Sequence, residues 1–106
     1  MNKQRVYVLE RLKQVGEYDI ISSVIHASTN YKELVTLLIR MNHLLVIEPN
    51  YAYNSSLCPT TLKEDTIPRL TDEYLREDGT VRFHAYTLDE HKCVKYTTRY
   101  AIQVFE

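Results

Sequence analysis

The 106-residue chain holds two glycines, three prolines, two cysteines and no tryptophan, and no apolar run exceeds the four residues from Leu44 to Ile47. Each scarcity excludes something. A membrane-spanning helix needs roughly twenty apolar residues in succession, so no membrane segment is expected. Gly16 and Gly79 stand far apart, which excludes a glycine-rich loop cradling a phosphate or dinucleotide. Cys58 and Cys93 lack metal-type spacing, and Met1 to Arg5 leads into Glu10, Arg11 and Lys13 instead of an apolar signal core. Two reduced thiols in a cytoplasmic protein are therefore expected. A formal net charge of −1 leaves no strong positive field to hold nucleic acid by bulk electrostatics.

What remains is an ordinary soluble composition, 44% hydrophobic and 25% charged, of a size that makes residues 1–106 one domain. Nine tyrosines are the main surplus. Tyrosine combines a large rigid ring with a polar tip, which suits both half-buried sheet positions and protein interfaces.

The clearest local pattern is the alternation from Val94 to Phe105. Val94, Tyr96, Thr98, Tyr100, Ile102 and Val104 share one side of an extended strand, and Cys93, Lys95, Thr97, Arg99, Ala101 and Gln103 share the other. An apolar face and a basic, wet face follow, with Ile102, Val104 and Phe105 expected in the core. Val81 to Thr87 reads as the preceding antiparallel strand with Val81, Phe83 and Ala85 inward. Residues Leu88 to Lys92 form the turn between them.

Upstream, helices are expected. Gln4 to Val15 places Val8, Leu12 and Val15 on one helical face, although Val6 and Val8 also alternate with Tyr7 and Leu9 in the manner of a strand. Gly16 offers a stop, and Asp19 a cap for a second helix with an Ile20, Ile21, Val24 and Ile25 stripe. Asn30 and Glu33 form a capping box ahead of Leu34, Leu37, Leu38 and Met41. Leu44 to Ile47 is a short buried strand closed by Glu48-Pro49-Asn50. A long polar loop runs from Tyr51 to Asp65, and a further helix opens at Thr66, carries Arg69–Glu73 and Asp72–Arg76 pairs, buries Ile67, Leu70 and Tyr74, and ends at Asp78-Gly79. The expected fold is α+β: a helical N-terminal half, winged-helix-like in its element order, packed on a small antiparallel sheet that ends in a C-terminal β-hairpin.

Catalytic chemistry is not expected. The adjacent carboxylates at residues 64–65, 72–73, 77–78 and 89–90 diverge on a helix and assemble no acid–base dyad. His84, His91 and Cys93, with Cys58, lack the spacing of a zinc site, so neither metal nor cofactor is expected. The chain reads as a small non-enzymatic protein-binding domain, an inhibitor or adaptor of the kind phages encode, that occupies a surface of a larger macromolecule. Tyr51 and Tyr53 on the polar loop are its expected anchors, with Asp72, Glu73 and Tyr86 completing the partner-binding set. The alternative is a winged-helix-like DNA-binding regulator. It would use Lys32, Thr36 and Arg40 on the third helix, while Arg82, Lys95 and Arg99 on the outer sheet face offer a separate surface that could neutralise single-stranded nucleic acid.

Overall fold

The computed structural model describes residues 4–106. Its frame is a six-stranded, wholly antiparallel sheet formed by β1 (Val6–Val15), β2 (Asp19–Ser28), β3 (Leu44–Glu48), β4 (Thr60–Thr61), β5 (Thr80–Leu88) and β6 (Val94–Phe105). The strand order is β2-β1-β6-β5-β3-β4. One helix, α1 (Tyr31–Met41), lies on one face. Strand makes up nearly half of the chain, so the expected helical N-terminal half, and the winged-helix order with it, is overturned. No helix of the described residues is long and apolar enough to cross a membrane.

The first two expected helices form a single hairpin. Val15 pairs with Asp19 across a turn in which Gly16 has φ +71°. Gly16 thus serves a three-residue hairpin loop, where glycine readily supplies the left-handed conformation. β-Branched Ile20, Ile21, Val24 and Ile25 favour the extended backbone that β2 adopts. In β1 the helical reading selected Val8 and Leu12. Alternation instead turns Leu9 inward, and Leu9 is fully buried.

Core positions come from every second residue on one sheet face: Leu9, Tyr100, Ile102, Val81, Phe83, Ala85, Leu45 and Ile47. Tyr31, Leu34, Val35 and Leu38 of α1 pack onto them. Asn30 caps this helix, its Oδ1 accepting from Lys32 N at 3.1 Å. Glu33 does not complete the box; its carboxylate accepts from Ser28 Oγ at 2.8 Å, and that hydroxyl accepts from Asn30 N.

The segment expected as a helix from Thr66 packs Ile67, Leu70 and Tyr74 against the core as foreseen, but as turns. Asn50 explains this. Its side chain and backbone N–H capture the carbonyls of Asp72, Glu73 and Leu75, the acceptors a helix would need. The expected Arg69–Glu73 and Asp72–Arg76 pairs do not form among the described residues, and Arg76 instead meets Glu48 at 3.0 Å.

The C-terminal hairpin is present, with β5 and β6 paired from Thr80↔Gln103 to Leu88↔Val94. Val81, Phe83, Ala85, Tyr100 and Ile102 are buried as the alternation requires. Val94, Tyr96 and Phe105 are exposed, and Val104 is only half-buried, contrary to expectation. A register shift at Thr87/Leu88 interrupts the alternation around Lys95, and α1 covers only the middle of an elongated molecule of 52 × 35 × 31 Å. Phe105 lies on the sheet face away from α1.

Two outcomes follow. Phe83→Ala should cost about 3–5 kcal/mol in urea denaturation. Deleting Ala101 to Glu106 removes fully buried Ile102 together with most of the ladder to β1 and the Thr80–Arg82 end of the ladder to β5. At about 1.5–3 kcal/mol per large buried side chain before any hydrogen bond is counted, the truncated chain should show no cooperative unfolding transition.

Candidate functional site

The turn after β3 is the best-organised exposed feature. Pro49 and Asn50 are buried. The Asn50 carbonyl accepts from Tyr53 N at 3.1 Å and Asn54 N at 3.3 Å, which reverses the chain. The Asn50 N–H donates to Glu73 O at 2.6 Å, and its Nδ2 donates to Asp72 O at 3.2 Å and Leu75 O at 3.1 Å. One buried amide thus ties the turn to the 71–76 segment. Tyr51 and Tyr53, outside the tie, are 44% and 59% exposed.

Tyr53 and Asp72 line one concavity of about 460 Å³ with Asn50, Leu75, Arg76 and Glu77. Tyr51 lines an adjoining one of about 370 Å³, with Glu48 and Asp78. The structure therefore brings Tyr51, Tyr53 and Asp72 together, and Glu73 adjoins them through its carbonyl. Tyr86 is not part of the group, since it pairs with Leu44 and Thr97 toward the other end of β5.

The floor beside the tyrosines is a charge network. Glu48 meets Arg76 at 3.0 Å and His84 Nε2 at 2.9 Å. Burial pushes the Glu48 carboxyl up, but the His84 hydrogen bond and the Arg76 charge outweigh it and hold the group below its ordinary value. Asp78 accepts from Thr80 Oγ1 at 2.6 Å and Thr80 N at 3.0 Å. That bonding, with Arg82 nearby, holds its carboxyl low as well. Since Arg76 is engaged by Glu48, and Asp78 by Thr80 and Arg82, the acidic groups presented at the rim are those of Asp72, Glu73 and Glu77.

The residues of the DNA-binding alternative divide into two places. Lys32, Thr36 and Arg40 line a groove of about 570 Å³ between α1 and the His26 end of β2, together with Glu33 and Leu37. Arg40 Nε is held there by Glu64 at 2.6 Å. Arg82, Lys95 and Arg99 fall on β5 and β6. Arg82 is half-buried and 3.6 Å from Asp78, Lys95 sits at the register shift, and Arg99 lines a cleft where the β1–β2 and β5–β6 hairpins part, beside Arg11 and Lys13. With strands in place of the first two helices, α1 is not the recognition helix of a winged-helix arrangement.

Among the described residues no group of three or more histidine, cysteine or acidic side chains is placed to hold a metal ion. Cys58 and Cys93 are exposed free thiols. Sequence reasoning missed Asn50 as the organiser. Its signal was present in Glu48-Pro49-Asn50, where a proline and an amide side chain follow a buried strand.

Asn50→Ala removes both side-chain donors and leaves the Asp72 and Leu75 carbonyls without them. Stability should fall by about 1–3 kcal/mol, and limited proteolysis should cut the 51–58 and 71–78 loops sooner. The network also fixes a pH dependence. Folded carboxyl values below the ordinary 4.5 and 3.8 for Glu48 and Asp78 stabilise the fold fully above those values. That contribution disappears as pH falls through the folded ones. Glu48→Gln should therefore be less stable than wild type near neutrality, with the gap narrowing in urea titrations as the pH falls below the ordinary carboxyl value of 4.5. Comparison with protein-family models, curated proteins and solved structures finds no match, so the reading of this site rests on its own geometry.

Proposed function

We propose that the chain is a small non-enzymatic protein-binding domain, an inhibitor or adaptor that occupies a surface of a larger macromolecule through the Tyr51–Tyr53 turn. The observation that carries this reading is the Asn50 tie. It holds two exposed tyrosine rings on a turn whose backbone is bonded to a second segment. Rigid aromatic groups held in place before contact lose little conformational freedom on binding, which is the usual character of residues that dominate an interface.

The acidic rim supplies direction. Asp72, Glu73 and Glu77 flank the tyrosines and favour a partner surface with positive charge. Such complementarity acts chiefly on the rate and orientation of encounter. Tyr86 has no place in this surface and is left out of the proposal.

The test is affinity capture from the native host, with and without nuclease, comparing wild type with Tyr51→Ala/Tyr53→Ala. Capture of a protein partner that survives nuclease and falls by roughly 100-fold or more in the double variant, at an unchanged melting temperature, supports the reading. Parallel loss of stability would make the tyrosines structural. A complex that keeps its strength in the variant but is lost on nuclease treatment would contradict the proposal.

A further inference from the structure

Strand β2 closes one edge of the sheet, and β4, only two residues long, closes the other. β2 extends for ten residues, nine of them exposed. Ile20, Ile21, Val24 and Ile25 all display large apolar side chains to solvent. Between Asp19 and Ser28 the strand carries no lysine, arginine, glutamate or proline, the residues that commonly prevent edge-to-edge association. Helix α1 reaches only the far end, where Glu33 meets His26 and Ser28. A register shift at Leu9/Glu10, with Ile25 as the extra residue, separates that end from the regular stretch 19–24. The stretch 19–24 is therefore a regularly paired edge, uncharged apart from Asp19 and unguarded.

We propose that this edge pairs with the same edge of a second copy of the chain, antiparallel about a two-fold axis through Ser22. Complementary groups at the two ends of the strand, Asp19 and His26, favour a second copy as the occupant, and symmetry fixes which registers it can take. A two-fold axis normal to the sheet keeps the same face of both copies on the same side, so facing residues must share a face. Pairing about Ser22 meets that condition. Ile20 faces the copy's Val24 on the side away from α1, and Ile21 faces the copy's Ser23 on the α1 side. Antiparallel pairing also sets Asp19 opposite the copy's Ile25, next to His26, so the carboxylate at one end of the strand comes near the imidazole at the other, whose Nε2 lies 3.4 Å from Glu33 of its own chain. Parallel pairing would bring like ends together. The result is a continuous twelve-stranded sheet with the two tyrosine turns at its outer edges, since β3 lies near the edge opposite β2. This goes beyond the tyrosine-turn reading and does not rest on it.

Sedimentation of the wild-type chain, whose mass is 12.5 kDa, should give about twice that mass at submillimolar concentration. Val24→Lys sets two added cations beside the seam from a position 67% exposed. It should return the monomer with circular dichroism and melting temperature unchanged after allowance for dissociation. In a Cys58→Ser/Cys93→Ser background, Ser22→Cys should oxidise to a covalent dimer across the axis, whereas Ser55→Cys on the far loop should not. A wild-type chain that remains monomeric overturns the proposal, as does a dimer untouched by Val24→Lys or Ser55→Cys cross-linking as readily as Ser22→Cys. A monomer whose partner capture is lost in Val24→Lys would assign the edge to a different protein, which also overturns it.

Discussion

The fold depends on the lateral pairing of β6 with β1 on one side and β5 on the other. β6 ends the described chain yet lies inside the sheet, so Ile102 faces Leu9 across one ladder and Val81 across the other. All three side chains are fully buried. Bringing β1 against β6 closes a loop of nearly the whole chain. That step costs chain entropy before any contact compensates it, a feature of slow-folding β topologies. Once it is made, the β1–β2 hairpin and the β3–β5 ladder have a common support, and α1 has a surface to cover.

The cover is one-sided and partial. α1 and the irregular 62–75 segment fill the face over the centre of the sheet, where Leu62, Ile67, Leu70, Tyr74 and Leu75 join the helix residues. Beyond them the two hairpins extend with Val15, Tyr18, Val94 and Tyr96 in solvent. This uneven distribution separates three kinds of surface: a tied tyrosine turn at the β3 end, an apolar edge at β2, and a cleft lined by Arg11, Lys13 and Arg99 between the hairpins. The first two place candidate contacts at opposite edges, so that one need not obstruct the other.

How much of this was legible follows from the range of each interaction. The β5–β6 hairpin and the β3 strand could be read because alternation and burial coincide there, from Val81 to Ala85 and again at Tyr100 and Ile102. α1 was legible from Asn30 and the leucine spacing, both local signals. β1 was not, because Val8, Leu12 and Val15 satisfy helical spacing while Val6 to Leu9 satisfy a strand. Only the distant β6 partner decides between the two. In β2 the β-branched residues favoured a strand, but the stripe of isoleucines at helical spacing concealed it. The 66–78 segment shows the reverse failure. Its helix signals are sound locally, yet Asn50, twenty or more residues earlier in the chain, takes its carbonyls. Tyr51 and Tyr53 stood out through the tyrosine surplus and loop character, and Asp72 through its acidic pair, but the amide that ties their two segments together did not.

Native-state amide hydrogen exchange tests the central claim most directly. If the β1–β6–β5 ladder supports the molecule, the amides of β1 and β6 that bond across it should exchange only with global unfolding, at one common free energy shared with the centre of β5. Exchange of β1 at a markedly lower free energy, while β5 and β6 stay protected, would show a hairpin that folds without its first strand and would contradict the account.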